Sequence, residues 1–239
     1  MQAVIMAGGF GSRLRPLTDH MPKPMVPILD KPVLEYIVEH LRSCGIRDIV
    51  MTLAYRPEMI QAYFGDGRRW DVRIRYVVES HPLGTAGGVR NAVGNCDCDV
   101  LVVSGDGFTT LDFSKLASAH KHSGADVTMA VKYVQDARGF GLVDRDAKGR
   151  VLRFVEKPRV PIAGYVNMGI YILSPQAIRR IPRGASDFSK DLFPKMIDRI
   201  GTYVFDGYWS DIGTLPSYYL TNHTVACNPV AFGLPCYTN

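Results

Sequence analysis

No apolar run in this sequence approaches the ~20 residues that cross a bilayer. Its first residues, Met1-Gln2-Ala3-Val4-Ile5-Met6, set no basic segment ahead of an apolar stretch, so neither a secretion leader nor a membrane partner is expected. The expected location is the cytoplasm. Cysteine is sparse: Cys44, Cys96, Cys98, Cys227 and Cys236 are odd in number and scattered. Cys96 and Cys98 stand as Cys-x-Cys without a second pair to complete a zinc site, and the thiols read as buried or incidental. An excess of one charge is also lacking. The formal net charge is +5, and the densest basic group, Arg68, Arg69, Arg73 and Arg75, has no aromatic residues interleaved to stack bases. No nucleic-acid partner is expected, although a slight positive excess suits a small anionic substrate. The histidines show neither metal spacing nor a nucleophile partner, which leaves no Ser–His–Asp arrangement to argue.

What the chain does have is ordinary globular composition, 46% hydrophobic and 21% charged, and a clear alternation of elements. Ala3 to Met6 is an apolar run of strand length, followed by a Gly-rich stretch. Leu34, Ile37, Val38 and Leu41 then recur at helical spacing, and Gly45 supplies a stop. Ile49 to Leu53 reads as a strand, Pro57 to Phe64 as a short helix and Tyr76 to Val78 as a strand. Thr85 to Val93 reads as a helix and Val100 to Val103 as a fully apolar strand. Repeated units of this kind imply right-handed crossovers and a parallel sheet covered on both faces. Later strands, at Val127 to Val131, Leu142 to Val143, Leu152 to Val155 and Gly169 to Leu173, are joined by short links such as the turn Ala147-Lys148-Gly149. Helices are expected over Pro175 to Ile181, Leu192 to Ile200 and Tyr218 to Cys227. The fold class is therefore α/β: a Rossmann-like, doubly wound, mostly parallel sheet with a mixed-strand extension. Residues 1–227 read as one domain and 228–239 as a loose tail.

The strongest motif is Gly8-Gly9-Phe10-Gly11-Ser12-Arg13-Leu14, directly after the first strand. Glycines let backbone approach a phosphate, and successive N–H groups make an anion-binding concavity. A dinucleotide fingerprint would need a third glycine where Leu14 stands, and a P-loop would need Gly-Lys before Ser or Thr. A Gly-rich turn alone is as readily structural as functional. The continuation decides: Pro22 and Pro24 hold Lys23 on an extended segment. Arg13 and Lys23 then offer a forked and a point cation to a polyphosphate.

At residues 8 to 32 the chain resembles the sugar-phosphate nucleotidyltransferase family, and similar motifs continue to about Tyr218. Glu79-Ser80-His81-Pro82-Leu83-Gly84-Thr85-Ala86-Gly87 resembles that family's nucleobase loop, Ser104-Gly105-Asp106 its metal aspartate and Glu156-Lys157-Pro158 its sugar-phosphate lysine. Val166 to Tyr171 resembles a sugar-contact strand, and Trp209-Ser210-Asp211-Ile212-Gly213-Thr214 the second metal aspartate. Gly107 departs from the pattern, since the family more often carries an aliphatic residue there. The resemblance implies a GT-A-like fold, with nucleoside triphosphate and sugar 1-phosphate as partners and Mg²⁺ as cofactor on Asp106 and Asp211. It implies nucleotide contacts at Ala7, Gly8, Gly9, Gly11, Arg13, Lys23, Glu79, Gly84 and Thr85. Sugar-phosphate contacts would fall at Gly141, Glu156, Lys157 and Asn167, and catalysis on Arg13, Lys23, Asp106 and Asp211.

Position supports Asp106 separately, because ligands bind beyond the carboxyl ends of strands in open α/β sheets. Asp97-Cys98-Asp99 could hold a glycosyltransferase metal, but it precedes the strand; Asp144-Arg145-Asp146 borders a hairpin turn. Both read as solvated loops. Other readings remain open: a thymidylyl- or uridylyltransferase acting on glucose 1-phosphate, and a non-catalytic subunit that binds nucleotide sugar. Against the subunit, the charged residues Arg13, Lys23, Asp106, Lys157 and Asp211 are all present. The carboxylate of Glu79 matches the two adjacent donors of guanine, so GTP is favoured. The pattern Pro82-Leu83-Gly84-Thr85-Ala86 resembles guanylyltransferases acting on mannose-type sugars, which implies a mannose or manno-heptose phosphate as the partner. The sequence leaves homo-oligomerisation open.

Overall fold

The structure, a computed structural model, describes residues 1–234. In chain order its strands are β1 (Gln2–Met6), β2 (Pro27–Ile28), β3 (Lys31–Pro32), β4 (Asp48–Leu53), β5 (Arg73–Val78), β6 (Val100–Ser104) and β7 (Gly107–Thr109). They continue with β8 (Val127–Val134), β9 (Gly141–Arg145), β10 (Val151–Glu156), β11 (Gly164–Leu173), β12 (Ile200–Val204) and β13 (Trp209–Asp211). The helices are α1 (Val33–Ser43), α2 (Pro57–Phe64), α3 (Gly84–Val93), α4 (Phe113–Ser123), α5 (Pro175–Arg180) and α6 (Leu215–Cys227).

The main sheet has nine strands and runs β10-β9-β11-β6-β1-β4-β5, with β8 on β11 and β12 on β8. β1 is parallel to β4 and β6, and β4 to β5, whereas β11 is antiparallel to β6, β8 and β9. This is the mostly parallel sheet with a mixed extension that the sequence implied. Central strands bury both faces: Val100 to Val103 are wholly inaccessible, as are Ala3 to Ile5. Residues of α1, α2 and α4 pack on one face, and residues of α3 and α5 on the other. α1 turns Leu34, Ile37, Val38 and Leu41 into the core, then ends in a Schellman turn. Ile46 N donates to Leu41 O and Gly45 N to Arg42 O, both at 2.9 Å.

One expected helix needs correction. No helix spans Leu192 to Ile200. A π turn, Phe188–Leu192, passes into 3₁₀ turns at Phe193–Lys195 and Ile197–Arg199. Pro194 cannot supply a helical N–H, and Phe188 and Phe193 turn in to meet Tyr171 at ring distances of 5.2 and 5.1 Å. Ile200 then leaves to pair with Val127 as β12. α4 was not read from the sequence; Asp112 starts it, its Oδ1 accepting from Ser114 N at 2.9 Å and Lys115 N at 3.3 Å. In the expected tail, Pro229–Phe232 is a 3₁₀ turn, and Phe232 packs on Phe108 and Tyr208 at 5.3 and 5.1 Å. Its last part, 235–239, lies outside the described residues. Among the described residues no helix is long and apolar enough to cross a membrane.

Candidate active site

From β1 the chain winds to β4 and β5 on one side, then returns to lay β6 on the other side of β1. Connections leaving β1 and β6 therefore part, opening the crevice where such sheets bind ligands. Hydrogen bonds continue past the strand ends: Ala7 N donates to Thr52 O at 3.0 Å and Gly105 N to Met6 O at 2.9 Å. The Gly-rich loop and the Ser104-Gly105-Asp106 turn thus face each other across that crevice.

Asp106 and Asp211 come together because β7 and β13 form a two-stranded antiparallel ribbon. Asp211 lies opposite Gly107, and Ile212 N donates to Asp106 O at 3.1 Å. Lys23 reaches between the carboxylates. Its Nζ hydrogen-bonds Asp106 Oδ2 directly and lies 3.4 Å from Asp211 Oδ1, while Ser104 Oγ donates to Asp106 Oδ1. Lys23 packs closely against Gly11, whose φ of +66° suits glycine; a Cβ there would lie 2.9 Å from Lys23 Cβ. Burial opposes charge on Lys23, but Asp106 and Asp211 outweigh it and raise its pKa. Burial likewise opposes charge on Asp106, yet Lys23 and the Ser104 hydroxyl hold its carboxyl below the usual range. Burial and the neighbouring Asp106 charge push Asp211 upward despite Lys23 and Arg13. Two carboxylates converging on one cation form a hard oxygen donor set that suits Mg²⁺, provided that phosphate and water complete it. Among the described residues no third His, Cys, Asp or Glu joins a metal cluster.

Two cavities meet at Asp106. One, of about 370 Å³, is lined by Ala7, Gly8, Gly9, Phe10, Lys23, Glu79, Gly84 and Thr85, together with Thr52 and Ala54 from the end of β4. One oxygen of the Glu79 carboxylate, Oε2, accepts from Leu83 N of its own loop at 3.0 Å, and the residue lines the cavity. The other, of about 310 Å³, gathers Gly141, Glu156, Lys157 and Asn167 with Asp211 and Trp209. Asn167 sits at a register shift in β11; its Oδ1 accepts from Gly169 N at 2.8 Å and its Nδ2 donates to Tyr171 Oη at 2.6 Å. Lys157 adopts a left-handed φ of 47°, which non-glycine residues rarely take. Lys157 N donates to Phe140 O at 2.9 Å, and its Nζ lies 3.4 Å from Glu156 Oε1.

Two of the residues singled out lie off these walls. Gly11 packs on Lys23 and Thr18 behind the loop, and Arg13 is exposed beside Asp211, across Gly213. Gly107 proves to be no steric requirement, since a Cβ there meets nothing nearer than 3.6 Å. Asp146 indeed serves a hairpin turn, its Oδ1 accepting from Lys148 N at 2.9 Å and Arg150 N at 2.8 Å, and Asp97 is exposed beside Arg179. Sequence reasoning missed Asp187, which lines both cavities, and the Trp209 indole, whose buried Nε1 has no hydrogen-bond partner among the described residues. Trp209 lay within a motif already quoted, whereas Asp187 carried no local signal.

Fold and site together define a doubly wound α/β protein with a two-part ligand crevice beyond the carboxyl ends of β1 and β6. Residues 2–227 match the family model described as nucleotidyl transferase, and the chain belongs to that family. It is 37% identical over 220 residues to the mannose-1-phosphate guanylyltransferase of Mycobacterium tuberculosis, covering 90% of this chain and 61% of that protein. It is also 37% identical over 239 residues to the UTP–glucose-1-phosphate uridylyltransferase of Synechocystis sp., covering 92% of this chain and 62% of that protein. The chain thus spans about three-fifths of the length of these curated relatives. HddC from Yersinia pseudotuberculosis, in its structure complexed with GMP-PN, superposes with a TM-score of 0.82 at 31% identity, covering 93% of this chain and 98% of that one.

Proposed function

We propose that this chain joins a nucleoside triphosphate to a sugar 1-phosphate with release of pyrophosphate. GTP is the favoured nucleotide and a mannose- or manno-heptose-type phosphate the favoured sugar. The observation that carries the reading is the meeting of two cavities at Asp106, with Lys23 set between Asp106 and Asp211. One cavity suits a nucleotide on a Gly-rich loop; the other offers a lysine and sugar-hydroxyl partners. Equal identity to a guanylyl- and a uridylyltransferase does not decide the base. Glu79 in the cavity wall and the GMP-PN bound by HddC favour guanine.

The phosphate oxygen of the sugar is already an anionic nucleophile, so no general base is required. It forms a bond to the α-phosphorus as the bond to the β-phosphate oxygen breaks, and pyrophosphate takes that electron pair. The obstacle is charge, and positioning with electrostatic stabilisation supplies the rate. Asp106 and Asp211 would hold Mg²⁺, which would neutralise phosphate charge when bound. Lys23, freed from bridging the carboxylates, and Arg13 would stabilise the departing pyrophosphate. Lys157 would hold the sugar phosphate in line. A panel of nucleoside triphosphates against sugar 1-phosphates with Mg²⁺, scored by pyrophosphate release, tests the reading. GTP with a manno-configured phosphate should turn over fastest, and absence of pyrophosphate from every pair would refute it.

Lys157→Ala should raise KM for the sugar phosphate roughly tenfold, the scale of one hydrogen bond between charged groups. KM for the triphosphate should stay nearly constant, because Lys157 lines only the second cavity. Equal losses for both substrates in steady-state kinetics would count against two separate anion pockets.

A further inference from the structure

The segment between α5 and β12 closes against the expected nucleobase loop. Ser186 N donates to Leu83 O at 2.8 Å, and Ser186 O accepts from Ala86 N and Gly87 N, both at 3.0 Å. Backbone thereby satisfies N–H groups that the start of α3 would otherwise leave open. The approach excludes a side chain on Gly84, where φ is +71° and a Cβ would lie 2.5 Å from Ser186 O. Asp187 follows directly. Its Oδ1 accepts from Thr85 Oγ1 at 3.0 Å and from Thr85 N at 3.3 Å, and Thr85 Oγ1 accepts from Phe188 N at 3.0 Å. Asp187 N donates in turn to Asp191 Oδ2 at 2.7 Å. Thr85, expected to contact nucleotide, thus commits its N–H and hydroxyl to orienting a carboxylate.

The other oxygen, Asp187 Oδ2, has no hydrogen-bond partner among the described residues. Asp187 stands at the seam of the two cavities, and the three residues after it, Phe188, Ser189 and Lys190, line only the sugar-side one. A carboxylate accepts hydrogen bonds and repels phosphate oxygens, so its natural counterpart at this seam is a hydroxyl group. We propose that Asp187 is a specificity-determining residue that accepts a hydrogen bond from a ring hydroxyl of the sugar 1-phosphate, with Thr85 positioning it. This rests on the nucleotidyl-transfer reading and deepens it.

Asp187→Asn keeps an oxygen for Thr85 but replaces the open acceptor with a donor. KM for the sugar phosphate should rise roughly tenfold or more, while KM for the triphosphate stays within about twofold. The penalty should vanish for the one deoxy-sugar phosphate that lacks the hydroxyl taken by Asp187. Thr85→Val, which frees the carboxylate without removing it, should raise the same KM by a smaller factor. A penalty equal across all deoxy-sugar phosphates would mean that Asp187 only braces the loop. A penalty that instead follows 2′- or 3′-deoxy triphosphates would assign the hydroxyl to the ribose; either result overturns the proposal. Wild-type pyrophosphate release is measured first. Its absence sinks the reading and this inference together, whereas release with an unaltered Asp187→Asn variant sinks this inference alone.

Discussion

Asp106→Asn is expected to lower pyrophosphate release at least about a hundredfold, the scale lost when one preorganised electrostatic partner of a reacting phosphate is removed. Asp106 is the point where both cavities meet, and its carboxylate is held charged by Lys23 and Ser104. Asparagine is nearly the same size and keeps an acceptor for Ser104, so shape survives while the charge goes. Lys23 then faces a single carboxylate, Asp211 at 3.4 Å, and the proposed Mg²⁺ loses one of its two anionic protein ligands. Two measurements separate chemistry from folding: pyrophosphate release across a Mg²⁺ titration, and the thermal transition of the same sample. For a domain of this size, a loss of 1 kcal/mol moves Tm by only about 2–4 °C. Near-wild-type release at low Mg²⁺ by a folded variant would remove Asp106 from the reaction centre. Asp211→Asn should follow the same course, because the β7–β13 ribbon sets the pair side by side.

Much of this arrangement could be read from the sequence, for physical reasons. The central strands are apolar on both faces and α1 has a clean helical stripe, so burial itself wrote the pattern. Asp106 was legible because a strand end in an open α/β sheet faces the ligand crevice. Asp211 had no such logic of its own. Only the resemblance singled it out, since its place depends on a three-residue strand pairing with a distant partner. The helix expected over Leu192 to Ile200 does not form: Leu192, Phe193 and Met196 are buried at spacings that imitate a helix, while Pro194 and the two 3₁₀ turns break it. Asp187 was illegible for a related reason. Its significance comes from contact with Thr85, and no local periodicity encodes that approach.

Glu79→Gln is expected to reduce the preference for GTP over UTP, as a ratio of kcat/KM, roughly ten- to a hundredfold. Glu79 stands at the end of β5, where a carboxylate could simply be solvated. Instead its Oε2 accepts from Leu83 N at 3.0 Å, and its Oε1 lies over α3, 2.4 Å from where a Cβ on Gly88 would stand. Thus the group is fixed in the cavity wall, with lone pairs left on both oxygens. Guanine presents N1–H and an exocyclic amine side by side, and a carboxylate can accept from both at once. Uracil presents one donor between two carbonyls, so a carboxylate that meets the donor also sets an oxygen against a carbonyl. Glutamine exchanges one acceptor for a donor, which weakens the match to guanine and improves the match to uracil in the same step. Competition assays with GTP, UTP and dTTP on wild type and variant, at fixed sugar phosphate, read the ratio directly. A wild-type preference for UTP or dTTP, or a variant that keeps the full preference for GTP, would mean that Glu79 does not read the base.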